Sequence, residues 1–487
     1  MDSYRQRIGL FLGPLVFIIG LLFGPPAGLE EGEWIVAMVV TLMAIWWISE
    51  AIPLAATALV PVVALPALGV MEVGEVTQAY GNHLIFLFLG GFFIAVTMQR
   101  WNLHRRIALH TINLVGPQPK RMILGFMLAT AGLSMWISNT ATAMMMLPIA
   151  LAVLTQSRDE AQSRGEDLPR GFGVALMLGV AYAASIGGIA TLIGTPPNAV
   201  LAGQLEELYG VDITFASWMA FGLPMSLIFL TITWLFLAYG RNCRNIKSLP
   251  GGQEQIRAEL ATLGGIDTAE KRVLIIFVTV ALAWVLRGFL PADTLAELGD
   301  ASIAIAGALA LFLLPSGKHQ GQRLLDWQTA AKIPWDIVLL FGGGFAIAAA
   351  FSATGLSQTL AESLEILGSV PIILIIGACV ALVVFLTEVT SNTATATVFI
   401  PLMGALAVAT GFNQLALMAA VAVAASCAFM LPVATPPNAV VFGSRALSVP
   451  DMARAGLVLN IVTIVLTTLF VYFLLPAAMG VELTSSL

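Results

Sequence analysis

The sequence predicts an all-α polytopic membrane protein organised as an inverted repeat. Of the 487 residues 59% are hydrophobic and 10% are charged, and the mean hydropathy is +0.93. An average soluble protein is about a quarter charged, so this chain cannot cover itself with a polar surface. A set of motifs also occurs twice, which indicates an internal repeat. Several apolar stretches approach the roughly 20 residues that a helix needs to cross a bilayer: Ile8–Leu22, Trp34–Ile48, Met219–Ala238 and Val273–Val285.

The first apolar stretch is predicted to be a retained span. Arg5 and Arg7 precede it, as basic residues precede the apolar region of a signal peptide. However, Gly24–Gly28 and an acidic loop follow without a small-residue cleavage site, and such a site is expected after a signal peptide.

Composition and motif content disfavour several functional classes. The net charge of −6 gives no nucleic-acid-binding signature. Cys243, Cys379 and Cys427 lack paired spacing and histidine neighbours, which argues against disulfides and zinc, so we interpret them as packing residues. An intramembrane enzyme is disfavoured because the chain has neither a zinc-protease motif nor a nucleophile-and-base pattern.

The distribution of Lys and Arg predicts the orientation of the chain in the cell (inner) membrane. Basic segments are expected on the cytoplasmic side, which puts the N-terminus inside and the C-terminus outside. The basic segments are Arg100–Arg106, Lys120–Arg121, Arg158–Arg170, Arg241–Arg257, Lys271–Arg272, Lys318–Lys332 and Arg454. The acidic segments, predicted to be external, are Glu30–Glu33, Glu72–Glu75, Glu206–Asp212, Glu362–Glu365 and Glu482.

Three motifs recur in the same order. Ser-Asn-Thr-Ala-Thr-Ala occurs at Ser138–Ala143 and again at Ser391–Ala396, 253 residues later. A Gly-Gly-Phe segment recurs at the same offset, and Thr-Pro-Pro-Asn-Ala-Val recurs 240 residues later. These two pairs are Leu89–Ala95 with Gly342–Ala348 and Thr195–Val200 with Thr435–Val440.

An amphipathic segment in each copy predicts that the repeat is inverted. Apolar residues at helical spacing predict two helices along the membrane surface. Arg105 and Arg106 make the first basic, whereas Glu362 and Glu365 make the second acidic, so equivalent elements are expected on opposite sides of the membrane. The apolar positions are Leu103, Ile107 and Leu114 in the first copy and Leu356, Leu360 and Leu367 in the second.

The Ser-Asn-Thr motifs are predicted to form the tips of two re-entrant hairpins. Met122–Thr155 is apolar but basic at both flanks, so both of its ends are expected on one side, and Pro371–Thr410 is the mirror hairpin. Non-helical backbone at membrane depth is tolerated where it lines a cavity. Opposed hairpins suit alternating access by a secondary transporter better than the continuous pore of a channel.

The Thr-Pro-Pro-Asn motifs predict two broken helices, over Gly171–Leu205 and Leu415–Phe442. Paired prolines cannot continue the helix before them. The half-helix before each break ends in free carbonyls, which suit a cation, and the half-helix after it begins with free amides, which suit a carboxylate. Ser, Thr and Asn side chains add neutral oxygens and hydrogen-bond donors.

Other prominent residues are given structural or open interpretations. The Gly-Gly-Phe pairs are expected to allow close helix packing. Trp46, Trp47 and Trp335 are expected to be interfacial anchors. Glu388, near the second tip, either makes a structural hydrogen bond inside its hairpin or contributes to the site.

With these paired tips and paired breaks, the chain resembles the divalent anion/sodium symporter family, the INDY-type di- and tricarboxylate carriers, over nearly its whole length. The resemblance implies eleven transmembrane helices, two re-entrant hairpins, two broken helices, a homodimer, and a transport domain that moves like an elevator against a scaffold. On this basis residues 1–83 are N-terminal scaffold helices and 84–240 are the first repeat. Residues 241–332 are a cytoplasmic loop with scaffold helices, and 333–487 are the second, inverted repeat.

The resemblance also implies ligands for two sodium ions and one substrate. One sodium site uses Ser134, Ser138, Asn139 and backbone at Gly194, and the other uses Thr387, Ser391, Asn392 and backbone at Ala434. The implied substrate-binding residues are Asn139, Thr140, Thr195, Asn392, Thr393, Thr435 and Pro436.

The predicted function is therefore sodium-coupled symport of a small dicarboxylate such as succinate, malate or fumarate, with sodium as the coupling ion and no other cofactor. The site motifs contain no Arg or Lys that could replace sodium. A sodium-independent dicarboxylate exchanger and a sulfate or citrate carrier on the same fold remain alternatives.

Overall fold

The computed structural model describes residues 4–165, 168–240, 243, 249–287, 299–364 and 370–484. Within these ranges the regular structure is helical, apart from one isolated bridge between Pro315 and Arg323. The helices are α1 (Tyr4–Phe23), α2 (Glu31–Ser49), α3 (Leu54–Thr57), α4 (Val60–Ala67), α5 (Val73–Gln78), a 3₁₀ turn (Ala79–Gly81), α6 (His83–Arg100), α7 (Leu103–Val115), α8 (Pro119–Ser134), α9 (Asn139–Ser163), α10 (Arg170–Gly188), α11 (Pro196–Tyr209), α12 (Phe215–Tyr239), α13 (Gly252–Leu263), α14 (Thr268–Arg287), α15 (Asp300–Leu313), α16 (Trp327–Ala330), α17 (Trp335–Thr354), α18 (Leu356–Leu364), α19 (Ile372–Thr387), α20 (Asn392–Thr410), α21 (Gln414–Ala425), α22 (Pro436–Phe442) and α23 (Val449–Met479).

Nine helical segments in the described ranges are long and apolar enough to cross a membrane. They are α1, α2, the segment from α5 through α6, α9, α10, α12, α17, α20 and α23. The all-helical polytopic class predicted from composition is confirmed at this level. The first apolar stretch forms α1, which is mostly exposed and packs on α2.

Each Ser-Asn-Thr motif lies between two helices that contact each other. α8 ends at Ser134 and α9 begins at Asn139, because the Ser138 hydroxyl accepts a hydrogen bond from Ala141 N at 3.2 Å and caps the helix. In the second copy α19 ends at Thr387 and α20 begins at Asn392. Both predicted tips therefore lie in short connections between helices.

Each Thr-Pro-Pro-Asn motif interrupts a helix, as predicted. α10 ends at Gly188 and α11 begins at Pro196, and α21 ends at Ala425 and α22 begins at Pro436. Proline stands at the first helical position in each case, where its missing N–H and fixed φ cost nothing.

The helices pack in two groups. In one, α10 contacts α8, α9, α12 and α22, while α21 contacts α19, α20 and α23. In the other, α2 contacts α1, α4 and α17, and α15 contacts α6 and α14. The groups meet where α17 packs on α11 and α2 packs on α20.

The Gly-Gly-Phe segments allow close packing, as expected. A Cβ added to Gly90 would lie 2.6 Å from the Ala304 carbonyl carbon. A Cβ added to Gly343 would lie 2.4 Å from Ala58 O. Both distances are far below van der Waals contact, so any larger residue would separate the helices.

One prediction about an apolar side chain is wrong, and another stays a prediction. Leu114 is 87% exposed on the protein, which a helix along the membrane surface allows, while α7 turns Leu103, Leu109 and Ile112 toward the protein. Trp47 is not an interfacial anchor, since it is fully buried and its Nε1 donates to Leu54 O at 3.1 Å.

The other residues of the two amphipathic segments and of the tryptophan set differ in their exposure. Leu103 and Leu356 are buried, Trp335 is exposed, and Leu367 and Glu365 lie outside the described residues. The thiols of Cys243 and Cys427 are buried and unpaired, in keeping with packing roles, and Cys379 is half-buried.

Candidate functional site

The two tips and the two helix breaks face one cavity of about 1010 Å³. All the predicted site residues line it except Ser134 and Thr387, which lie just beneath the tips. The predicted residues on its wall are Ser138, Asn139, Thr140, Gly194, Thr195, Ser391, Asn392, Thr393, Ala434, Thr435 and Pro436. Motifs up to 298 residues apart in sequence (138 to 436) therefore meet in space.

In the first copy, the Asn139 amide joins the tip to the helix break. Ser134 Oγ donates to Ala184 O at 2.7 Å and lies 2.6 Å from the Asn139 amide. The amide atom facing Ser134 also lies 3.2 Å from Gly194 O and 3.1 Å from Ala184 O. Both partners are acceptors, so this atom is the NH₂ group. The Asn139 Oδ1 is then the amide atom on the side away from Ser134.

The second copy brings the corresponding residues together, but there the asparagine oxygen and not its NH₂ group faces the hydroxyl. Thr387 Oγ1 donates to Asn392 Oδ1 at 2.7 Å and lies 3.1 Å from Ala425 O. Thr387 and Asn392 stand 253 residues after Ser134 and Asn139. Each copy therefore gathers a hydroxyl, an amide and helix-end carbonyls, which are the neutral oxygen ligands that suit a monovalent hard cation.

A second asparagine in each copy supports the unwound backbone. Asn198 Nδ2 donates to Thr191 O at 2.8 Å and to Gly188 O at 3.2 Å. Asn438, 240 residues later, donates to Leu431 O at 3.0 Å. The Asn of Thr-Pro-Pro-Asn thus satisfies carbonyls that the broken helix leaves free, a role that the sequence analysis did not assign.

Glu388 supports the second break rather than its own hairpin. Its carboxylate accepts hydrogen bonds from Phe429 N at 2.7 Å, Met430 N at 2.9 Å and Leu431 N at 3.1 Å. Asn460 Nδ2 on α23 adds a fourth donor at 2.8 Å. These bonds give Glu388 a structural role, but at the second break and not inside its own hairpin as expected. The side chain is only 4% exposed, so these four donors replace its hydration.

Three helices of eight or more residues begin at the cavity. α9 begins at Asn139, α20 at Asn392 and α11 at Pro196. The first N–H groups of α9 and α20 lack intrahelical partners and lie at the positive ends of the helix dipoles, whereas the two prolines that begin α11 have no N–H. The cavity wall can therefore stabilise carboxylates without a fixed cationic side chain.

The two threonines before the prolines are more enclosed than the tips. Thr195 is 2% exposed and its Oγ1 lies 3.4 Å from Ser426 Oγ, while Thr435 is 3% exposed. Thr435 Oγ1 accepts from Asn438 N at 3.3 Å and so caps α22. Much of the hydrogen-bonding capacity of these hydroxyls is used within the protein.

Charged residues far from the motifs also line the cavity. They are Arg5, Glu50 and Asp336. The motif search missed them because no local pattern connects α1, the end of α2 or the start of α17 with the tips. Arg5 is the one basic side chain on the cavity wall among the described residues.

Clusters of three or more His, Cys, Asp or Glu that could hold a metal ion are absent from the part of the chain that the structure describes. The hydroxyl, amide and carbonyl oxygens gathered at the cavity fit an alkali cation better than a transition metal.

Comparison with known proteins identifies the relatives of the chain. A family model for the sodium:sulfate symporter transmembrane region matches residues 6–476. A sodium-dependent dicarboxylate transporter, SdcS, from Staphylococcus saprophyticus is 43% identical over 487 residues, covering 99% of this chain and 94% of that protein. The protein of the same name from Staphylococcus aureus is 44% identical over 491 residues, covering 100% and 94%.

Solved structures of two more distant transporters share the fold. The Alcanivorax borkumensis YdaH transporter aligns with a TM-score of 0.59 at 17% identity, covering 91% of this chain and 98% of that one. Neisseria gonorrhoeae MtrF aligns with a TM-score of 0.60 at 12% identity, covering 93% and 96%. At these identities the likeness concerns the fold alone.

Proposed function

The chain belongs to the sodium:sulfate symporter family, and from that membership we propose that it is a sodium-coupled symporter of small dicarboxylates such as succinate, malate or fumarate. It is a transporter, not an enzyme. The name of the staphylococcal relatives supports sodium dependence and a dicarboxylate substrate. The observation that carries the proposal is the matched pair of hydroxyl–asparagine contacts, Ser134 with Asn139 and Thr387 with Asn392, on one cavity.

In this proposal each copy binds one sodium ion. The first ion is held by Ser134, Ser138, Asn139 and Gly194 O, and the second by Thr387, Ser391, Asn392 and Ala434 O. These groups supply neutral oxygens only, so each bound ion keeps a full positive charge.

The substrate lies between the ions. One carboxylate meets Asn139 and Thr140 and the other meets Asn392 and Thr393, with Thr195 and the Thr435-Pro436 turn enclosing them. A dianion in a cavity with little cationic character is costly to desolvate, and two sodium ions offset its charge. Sodium and substrate therefore bind cooperatively.

Transport requires the cavity to open to each side in turn. The proposal assigns α8–α12 and α19–α23 to a body that moves like an elevator against a dimeric scaffold containing α1, α2 and α17. The hairpins are re-entrant, the count is eleven spans, and the N-terminus is cytoplasmic. The packing of α10 on α8, α9, α12 and α22 and of α21 on α19, α20 and α23 supports one body, and the contact of α17 with α11 is then part of the surface along which that body moves.

Uptake into proteoliposomes tests the proposal. Labelled succinate should accumulate above equilibrium when sodium is higher outside, and accumulation should stop when choline replaces sodium. Equal uptake in the two cations would contradict symport.

The same vesicles distinguish the alternatives. A sodium-independent exchanger would take up label only when unlabelled dicarboxylate is loaded inside. A sulfate or citrate carrier would be indicated if those anions, and not malate or fumarate, inhibited succinate uptake competitively.

A further inference from the structure

Arg5 connects the first helix of the chain to the tip of the second hairpin. Its Nη2 lies 2.9 Å from Glu50 Oε1, and its Nη1 donates to Val389 O at 3.2 Å. Val389 lies in the tip between α19 and α20, and all three residues line the cavity. One guanidinium therefore bridges the end of α2 and a tip that carries proposed ligands.

The two ends of this bridge belong to different packing units. α1 is pressed against α2, because a Cβ on Gly9 would lie 1.9 Å from Ser49 Oγ and one on Gly13 would lie 2.7 Å from Trp46 Nε1. Glu50 follows directly, in the left-handed conformation with φ 51°, and ends α2. The Arg5–Glu50 pair therefore lies within the α1–α2 unit. The hydrogen bond from Arg5 to Val389 O connects this unit to the second hairpin tip.

We propose that Arg5 is a latch between the α1–α2 unit and the second hairpin tip, and that its bond to Val389 breaks in every transport cycle. The proposal rests on the proposed function, since transport requires the tips to move relative to α1 and α2.

The contact suits a reversible latch. The Arg5 and Glu50 side chains are 48% and 50% exposed, and exposed ion pairs contribute little to stability. Arg5 can therefore release Val389 and return, while Glu50 keeps the guanidinium at the cavity mouth. The latch also neutralises Glu50, so that Asp336 is the other acidic group among the described residues that line the cavity.

Reversible cross-linking of the full-length protein tests the latch. In a background lacking Cys243, Cys379 and Cys427, the pair Arg5→Cys with Val389→Cys is joined by a bifunctional methanethiosulfonate with a spacer as long as an arginine side chain. The control pair is Arg5→Cys with Glu50→Cys, joined by the same reagent within the α1–α2 unit. Succinate uptake and sodium-dependent thermal stabilisation by succinate are measured before and after reduction.

The latch predicts that joining residues 5 and 389 lowers uptake at least tenfold, that reduction restores it, and that succinate still stabilises the joined protein. Joining residues 5 and 50 should leave uptake within twofold of the uptake by the same variant after reduction. Unchanged uptake in the first pair, equal loss in both pairs, or loss of succinate binding along with uptake would overturn the latch. If uptake by the unjoined protein does not depend on sodium, the proposed function is contradicted. The latch is tested separately, because its readout is the ratio of uptake before reduction to uptake after reduction.

Discussion

At the residue scale, Asn139 and Asn392 connect each tip to a helix end. Each side chain lies within 2.7 Å of a buried hydroxyl beneath its tip, and the Asn139 amide also reaches backbone carbonyls across the break. Replacing either asparagine by alanine removes a proposed ion ligand, a proposed substrate donor and an internal hydrogen bond together.

We predict that Asn139→Ala and Asn392→Ala each lower succinate uptake at least a hundredfold while the protein stays folded. The lost amide leaves buried groups unpaired, which costs about 1–3 kcal/mol per group. Asn82→Ala is the matched control, because Asn82 caps α6 away from the cavity, and it should retain uptake. Normal uptake in either tip variant would show that its tip is structural.

Gly194→Ala should also abolish uptake, because the added methyl group would clash with nearby backbone. A Cβ on Gly194 would lie 2.4 Å from Gly188 O, so the carbonyl proposed to bind sodium would have to move. Ala434→Gly, at the position 240 residues later, creates no such clash and should keep measurable uptake. Equal uptake by both variants would contradict the ligand role of Gly194 O.

The sequence motifs identified candidate site residues that occur in a repeated local pattern. They missed residues whose partners are distant in sequence. Asn139 and Asn392 could be found because they occur in a repeated Ser-Asn-Thr. Arg5 could not, because its partners are 45 and 384 residues away. The partners of Glu388 were also unpredictable, since Phe429–Leu431 become donors only after the second helix unwinds.

At the element scale, different hydrogen bonds stabilise the unwound backbone of the two broken helices. In the second break a carboxylate accepts from three consecutive amides. In the first break, Ile189 N and Ala190 N instead bond to Ile186 O and Gly187 O, continuing as a tight turn. The position matching Glu388 at the 253-residue offset is Met135. The Thr-Pro-Pro-Asn motifs predicted both breaks, but not this asymmetry.

Glu388→Gln should lower thermal stability and weaken the sodium dependence of uptake. A neutral amide offers one acceptor oxygen to four donors, and each buried donor left unpaired costs about 1–3 kcal/mol. The control is Glu362→Gln on the exposed face of α18, which should leave both properties unchanged. A melting temperature equal to that of the unmodified protein would contradict the supporting role of Glu388.

The inverted repeat predicts that α7 and α18 lie on opposite sides of the membrane. His110 and Ser363 are exposed and 253 residues apart. They are better probes than Arg106, which is buried against Glu270 and the loop after α13. Cysteines at His110 and Ser363 should react with a membrane-impermeant thiol reagent from opposite sides of oriented vesicles. Reaction of both from one side would make the repeat parallel.

At the scale of the whole molecule, the fold brings two half-sites to one cavity. Each half-site gathers neutral oxygens, and three helices begin at the same wall. Neither half-site contains a basic side chain of its own. The proposed division of labour is therefore that sodium supplies the positive charge and the helix ends supply the directional donors for the substrate.

Succinate affinity as a function of sodium tests this central claim most directly. Calorimetry on the purified protein would titrate succinate at several sodium concentrations, with choline holding the ionic strength constant. If the ions complete the cavity, succinate should bind at least tenfold more tightly at saturating sodium than in choline alone, because binding linkage is reciprocal. Equal affinity in sodium and in choline would contradict the account.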